Sequence, residues 1–350
     1  MSAPFVSVIL PIRNESASIE DCLAAILAQD YPTDRMEILI ADGLSTDDTV
    51  EKIRKLVSTV PRPSSTVAIF ENPGKIVPTG LNIALRHAKG EIIVRVDGHT
   101  LIAPDYVRQC VDALQRSGAD NVGGRMDAQG RSAFGRAVAL ATSTPFGVGG
   151  ARFHYSIREE WVDTVYMGAW PRRVFEKIGL FDEELVRDQD DEFNYRLRAQ
   201  GGRILLSPAI CSRYTVRSTP RALWRQYYQY GFWKIRVLQK HPRQMRPRQF
   251  VPPVFVLALL VSVFLLFLPL PFFRLLPSSF ILVLYLLAST LTALQHPNSQ
   301  FPIPNILLLP FVFAILHISY GLGFLVGLGW FANRWGDRQG QTPSLTRSDA

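Results

Sequence analysis

Between Phe250 and Phe331 the only charged or imidazole side chains are Arg274, His296 and His317. No other feature of this 350-residue chain restricts its folding so strongly. A stretch this long without a polar face has no soluble surface helix to offer. It divides into apolar runs over 250–273, 279–295 and 306–331, each near the ~20 residues that cross a bilayer as a helix. The first and third read as spans. The second is shorter and carries Ser289, Thr290 and Thr292, so a tilted or re-entrant segment fits it as well as a span. Three spans put the C-terminus on the far side of the membrane and two bring it back. Arg334, Arg338 and Arg347 against two aspartates in the tail favour its return.

Ahead of the apolar region, 234–249 holds Lys234, Arg236, Lys240, Arg243, Arg246 and Arg248. A basic run can bind nucleic acid. Its position favours a juxtamembrane cluster drawn to anionic lipid, with no nucleic-acid partner. The positive-inside rule then puts the preceding domain in the cytoplasm, at the inner or plasma membrane. The expected organisation is a cytosolic domain over 1–235, a basic juxtamembrane segment over 236–249, a membrane domain of two or three helices over 250–332, and a polar, disordered tail over 333–350. Cys22, Cys110 and Cys211 are widely spaced and form no CxxC, which argues against a zinc site or disulfide framework. The N-terminus has no basic region before its apolar run, which argues against a cleaved signal peptide.

The first 130 residues alternate two periods. Strand-like runs occupy 6–12, 36–42, 65–71 and 91–97, with a fifth over 121–126; helix-like runs occupy 16–29, 47–57, 79–88 and 104–114. This alternation predicts an α/β fold with a mainly parallel sheet covered on both faces. Ligands bind such sheets beyond the carboxyl ends of the strands. Asn14 and Glu15 follow the first strand, Asp42 ends the second, and Asp97 and His99 end the fourth, so polar residues collect along one edge. Any one of them also fits an ordinary surface turn. No GxGxxG follows the first strand and no GxxxxGK[ST] occurs, which weakens a dinucleotide-binding or P-loop reading. Gly123 and Gly124 read as a close backbone approach or a turn.

At the strand tip Arg95-Val96-Asp97-Gly98-His99, both Asp97 and His99 can project towards one cation. Oxygen ligands suit Mg²⁺ and Mn²⁺, and imidazole is tolerable for Mn²⁺. The small Gly98 would let a diphosphate approach. An Asp-Gly turn beside a solvated histidine accounts for the same residues. Further on, Asp188, Asp190, Asp191 and Glu192 open a helix, where the macrodipole favours carboxylates. Crowded carboxylates also raise one another's pKa, which suits a general base.

The motifs VSVILPIRNE, IADGLSTDDT, GLNIALRHAKGEIIVRVDGHT, YMGAWPRRVFEKIGLFDEEL and DQDDEFNYRLRAQG occur in this order. Together they resemble the inverting glycosyltransferases of family 2, over roughly residues 5 to 235, and most of all the succinoglycan-biosynthesis branch. The resemblance implies a GT-A-type nucleotide-sugar-binding domain followed by a small α-helical transmembrane domain. It implies that Pro11, Asn14 and Glu15 form the first nucleotide-binding turn and that Asp42 reads the uracil–ribose end of a UDP-sugar. Lys75 matches a basic position near the nucleotide. Asp97 matches the first acid of the DxD metal motif, and His99 stands in place of the last acid, which shifts the balance from Mg²⁺ towards Mn²⁺. Asp190 matches the catalytic base, with Asp191 as its rival. On the acceptor side the resemblance points to Trp170, which could equally be core, and to Gln226 and Tyr230 in a degenerate QxxQY; the aromatic-rich 224–234 also reads as an interfacial helix.

These implications make the chain a membrane-associated transferase. It would take a hexose from a UDP-sugar, with Mn²⁺ or Mg²⁺, to a lipid-linked or other saccharide acceptor of polysaccharide biosynthesis. A processive synthase needs a channel that two or three spans do not supply without a homo-oligomer. A non-catalytic sugar-nucleotide sensor or membrane scaffold has no use for both Asp97 and Asp190. A nucleotidyltransferase would carry a Gly- and basic-rich N-terminal signature that is absent here.

Overall fold

The computed structural model describes residues 3–59, 67–265, 267, 276–295, 303–338 and 340–345. In chain order the elements are β1 (Val6–Ile12), α1 (Ile19–Leu27), β2 (Met36–Asp42), α2 (Thr49–Thr59), β3 (Val67–Glu71), α3 (Val77–His87), β4 (Ile92–Arg95), β5 (Thr100–Ile102), α4 (Tyr106–Ser117) and β6 (Asn121–Gln129). There follow α5 (Ala133–Thr142), α6 (Pro145–Val148), β7 (Glu160–Trp161), β8 (Tyr166–Pro171), α7 (Arg173–Ile178), α8 (Gln189–Ala199) and β9 (Ile204–Thr215). The helices α9 (Pro220–Lys240), α10 (Val251–Leu265), α11 (Leu276–Leu294) and α12 (Ile303–Trp330) complete the described chain. The expected third strand starts at Val67; Ser65 and Thr66 lie outside the described residues.

Two compact units result. The first comprises Met1–Asp127, Tyr155–Thr215 and Gly340–Ala350, and the second Ala128–His154 and Val216–Gln339. These bounds differ from the sequence-based division at 235, because α5, α6 and all of α9 join the apolar helices.

The first unit is built on one sheet, ordered β3-β2-β1-β4-β8-β6-β9-β5, with β7 paired to β9. Pairings among β1 to β4 are parallel, and β4 with β8, β5 with β9, β6 with β8 and β7 with β9 are antiparallel. Every residue of β1 and β2 is buried, as strands covered on both faces require. Val8, Leu10, Ile38 and Ile40 lie at the centre of the core with Leu23, Ile26 and Val94. Each such side chain contributes about 1.5–3 kcal/mol of burial. Gly124 lies where the sheet is tightest. A Cβ there would sit 1.6 Å from the Ile210 carbonyl oxygen, so Gly124 serves a backbone approach, whereas Gly123 makes room for the Val165 side chain.

In the second unit α9 and α12 touch backbone to backbone. A Cβ on Gly231 would lie 2.0 Å from the Tyr320 carbonyl oxygen, and one on Gly323 would lie 2.1 Å from that of Tyr228. Gly323 and Gly327 form a GxxxG face that permits this approach. Beside the seam Ile235, Phe324 and Phe331 make a small core. Among the described residues two helical stretches are long and apolar enough to cross a membrane: Pro247–Leu265 and Leu307–Trp330, with mean hydropathies of 1.9 and 2.0. The segment Ser279–Leu294 is apolar but shorter.

The basic cluster divides in a way the sequence does not indicate. Lys234, Arg236 and Lys240 are buried, whereas Arg243, Arg246 and Arg248 are exposed. Arg236 donates to Gln239 Oε1 at 2.6 Å and reaches Asp337 Oδ2 at 3.4 Å. Arg236 and Lys240 lie one turn apart on α9, whereas Lys234 is buried on another side of the helix. The tail also departs from expectation. Within the first unit the Leu180 amide donates to the Pro343 carbonyl (2.9 Å) and the Glu183 amide to the Gln341 carbonyl (2.8 Å).

Candidate active site

The sheet changes direction at β1. From β1 the chain winds out to β2 and β3 on one side, then returns to place β4 on the other. The carboxyl ends of β1 and β4 therefore diverge into the crevice where doubly wound sheets bind ligands. The register pairs Ile9 with Arg95, so the residues after Ile12 and after Arg95 emerge side by side.

Three loops form the rim. Asn14 adopts a left-handed φ of 53°; its Oδ1 accepts from the Thr46 amide and its own amide donates to Ser45 Oγ, both at 2.9 Å. Asp42 is buried, and its carboxylate accepts from the Ser45 amide at 3.1 Å and the Ser45 hydroxyl at 2.5 Å. These bonds tie the loop after β1 to the loop after β2. Lys75 lies in the turn after β3, exposed and at φ 58°, and its carbonyl accepts from Arg13 Nη1 at 3.4 Å. Pro11 faces Ala41 inside the sheet and is buried, so its part is packing beneath the turn.

The tip of β4 is more elaborate than an Asp-Gly turn. Arg95, only 4% exposed, grips Asp97 through Nε to Oδ1 (2.8 Å) and Nη2 to Oδ2 (3.2 Å). Tyr166 hydrogen-bonds the same carboxylate and shares a 2.7 Å bond with Thr100. Burial alone would raise the Asp97 carboxyl. The Arg95 charge, His99, and the bonds from Arg95 and Tyr166 outweigh it and hold the group below the usual carboxylate range. His99 Nδ1 lies 3.0 Å from Glu15 Oε1, and its ring meets Tyr214 edge-on. Gly98 has a structural reason beside the one the sequence suggested. A Cβ on it would lie 2.9 Å from Ile12 Cγ2 and 3.2 Å from Glu15 Cγ, so the glycine lets β4 close against the loop after β1.

Asp188 takes a left-handed φ of 62° and starts α8, which places Asp190, Asp191 and Glu192 in the first turn. Glu192 is buried and pairs with Arg196 at 2.6 Å; Arg196 also donates to the carbonyls of Ile178 and Leu180. That pair fastens α8 to the preceding loop and leaves Glu192 no chemical role. Asp190 differs from its neighbours. Burial raises its pKa, the negative charges of Asp191 and Asp97 add to the rise, and Arg95 and the Asp191 amide oppose it without cancelling it. Asp190 thus shares one electrostatic site with Arg95 and Asp97, although ninety-odd residues separate them in the chain.

Trp170 is not in this group. It is 1% exposed, packed edge-on against Phe175, Phe181 and Phe193. Of its two readings, core is the one its burial fits. Gln226 and Tyr230 lie on α9 in the second unit and bond to each other at 2.9 Å, as an i,i+4 pair does. Nothing in the sequence assigns a role to Tyr166 and Thr100, although they stand at the ends of two of the quoted motifs, because only the fold brings them together beside Asp97. Arg95 was visible as the one charge in an apolar strand, but nothing local told what it met.

Among the described residues no cluster of three or more His, Cys, Asp or Glu side chains could enclose a metal ion. The donors at the β4 tip still suit a cation of the Mg²⁺ or Mn²⁺ class. Such ions take one or two protein ligands and complete their shell with substrate phosphates and water. Asp97 and His99 supply that number.

The chain matches the family model described as glycosyl transferase family 2 over residues 7–179. It is 29% identical over 236 residues to the succinoglycan biosynthesis protein ExoA of Rhizobium meliloti (strain 1021), covering 67% of this chain and 70% of that protein. It is 28% identical over 242 residues to a Methanococcus voltae enzyme, covering 67% and 74%. That enzyme is named as a dolichyl N-acetyl-α-D-glucosaminyl phosphate 3-β-D-2,3-diacetamido-2,3-dideoxy-β-D-glucuronosyltransferase. In fold it is similar to the mannosyltransferase PcManGT of Pyrobaculum calidifontis, solved with GDP-Man and Mn²⁺. The TM-score is 0.58 at 22% identity, over 93% of this chain and 88% of that one.

Proposed function

We propose that this chain, which belongs to glycosyl transferase family 2, moves a hexose from a UDP-sugar to a hydroxyl of a lipid-linked saccharide, with inversion at the anomeric carbon. One observation carries the reading: the candidate base Asp190 lies in the same electrostatic site as the donor-end residues Arg95 and Asp97. The loops after β1, β2 and β3 would cradle the nucleotide through Asn14, Glu15, Asp42 and Lys75. Asp97 and His99 would hold a divalent cation, which when bound neutralises diphosphate charge and stabilises the leaving group. Asp190 accepts the proton of the acceptor hydroxyl. That oxygen attacks the anomeric carbon as the bond from carbon to phosphate oxygen breaks, and UDP leaves. The likeness to the Rhizobium succinoglycan protein and the Methanococcus dolichyl-phosphate sugar transferase supports a polysaccharide or glycolipid product. The two apolar helices and exposed Arg243, Arg246 and Arg248 support a membrane protein whose first unit is cytoplasmic.

The test is a donor panel on detergent-purified protein. UDP-sugars and GDP-mannose are offered with Mn²⁺ or Mg²⁺ and a polyprenyl-linked saccharide, and nucleotide release and product mass are read. The expected outcome is acceptor-dependent release of UDP from one UDP-hexose with one sugar added. Release from GDP-mannose alone would overturn the donor assignment, and no transfer from any donor would overturn the activity.

A further inference from the structure

Arg95 is a full charge in a buried strand, and guanidinium stays protonated at any working pH. Its Nε and Nη2 occupy both oxygens of Asp97 in fork geometry. Its remaining nitrogen, Nη1, is buried and has no hydrogen-bond partner. A buried guanidinium N–H left unpaired is costly, and an anionic oxygen is the group that satisfies it.

Two facts follow if Asp97 is a cation ligand, the reading on which this inference rests. A divalent cation needs oxygens that Arg95 already holds. Two cations on one buried carboxylate also repel each other. We propose that Arg95 is an internal counter-cation that competes with the divalent cation for Asp97, so that cation and donor diphosphate are bound well only together. Phosphate oxygens then supply the negative charge that Asp97 alone cannot, and offer Nη1 its partner. The simpler role, a prop that holds Asp97 in place for the cation, predicts the opposite effect of removing Arg95.

The experiment measures Mn²⁺ binding by the free-ion EPR signal, on full-length protein in detergent, with and without UDP. The proteins are wild type, Arg95→Gln and Arg95→Lys. Without UDP, Arg95→Gln should bind Mn²⁺ about tenfold tighter than wild type. The tightening of Mn²⁺ by UDP should shrink by a similar factor, because that coupling is the ratio of the Mn²⁺ affinities with and without UDP and only the UDP-free one rises. Arg95→Lys keeps the charge and loses the fork, so it should fall between the two; it carries the test should the glutamine variant not fold. Unchanged or weaker Mn²⁺ binding in a folded variant would overturn the proposal in favour of the prop. If wild type binds no Mn²⁺ even with UDP, the cation assignment of Asp97 fails, and this inference with it.

Discussion

Asp190 must be ionised to take a proton, and burial, Asp191 and Asp97 all resist that. The sign is definite. A raised pKa means the base is lost, as pH falls, earlier than an ordinary aspartate at about 3.9 would be. The acidic limb of the kcat–pH profile should therefore lie above that value. A limb at or below it would mean that another group limits the rate. Asp97 and Asp190 were legible as candidates through the family resemblance, since a strand-tip turn and a helix start hold carboxylates for ordinary reasons as well. Their meeting was not, since distance along the chain hides which charges share a site. The same limit explains Gly98. The sequence shows that a side chain is missing, but only the fold shows that Ile12 and Glu15 fill its place. Trp170 is a similar case, because an aromatic residue in a strand can face core or ligand.

At the scale of elements, the parallel strands were read almost to the residue because a buried strand is an unbroken apolar run. The antiparallel strands β7, β8 and β9 were not read. They are short or uneven, and β9 alternates buried and exposed positions beyond Ser207. The seam of α9 and α12 offers a direct check. Gly231→Ala pushes a methyl group into the Tyr320 backbone and should lower stability by about 1–3 kcal/mol. Gly329→Ala, with nothing within 4 Å, should be neutral or stabilising by up to about 1 kcal/mol. Thermal melts in detergent compare the two. The 340–345 strap makes another prediction. It offers two carbonyls to the loop before α8, and the Gln341 amide donates to Asp182 Oδ1 at 3.0 Å. Three net bonds of about 0.5–1.5 kcal/mol each imply that deleting 340–350 costs about 1.5–4.5 kcal/mol locally. Hydrogen exchange should quicken over 179–192 and stay unchanged in β1 and β2; uniform protection would contradict the role given to the strap.

For the whole molecule, the split between charged and charge-free sequence marked where the apolar helices lie, two of them long enough to cross a membrane among the described residues. It did not mark the unit boundary, because α9 is a basic and aromatic helix rather than an apolar one, and its buried Arg236 bonds to Gln239 and Asp337 of the same unit. We propose the crevice at the sheet's switch point as a transferase site with Asp190 as its base. The most direct measurement is the rate of sugar transfer by Asp190→Asn beside Asp191→Asn and wild type, with UDP binding measured on each. A lost general base predicts a rate about 10²–10⁴ times lower for Asp190→Asn with UDP affinity retained, and near-normal transfer for Asp191→Asn. Transfer by Asp190→Asn at the wild-type rate would contradict the claim.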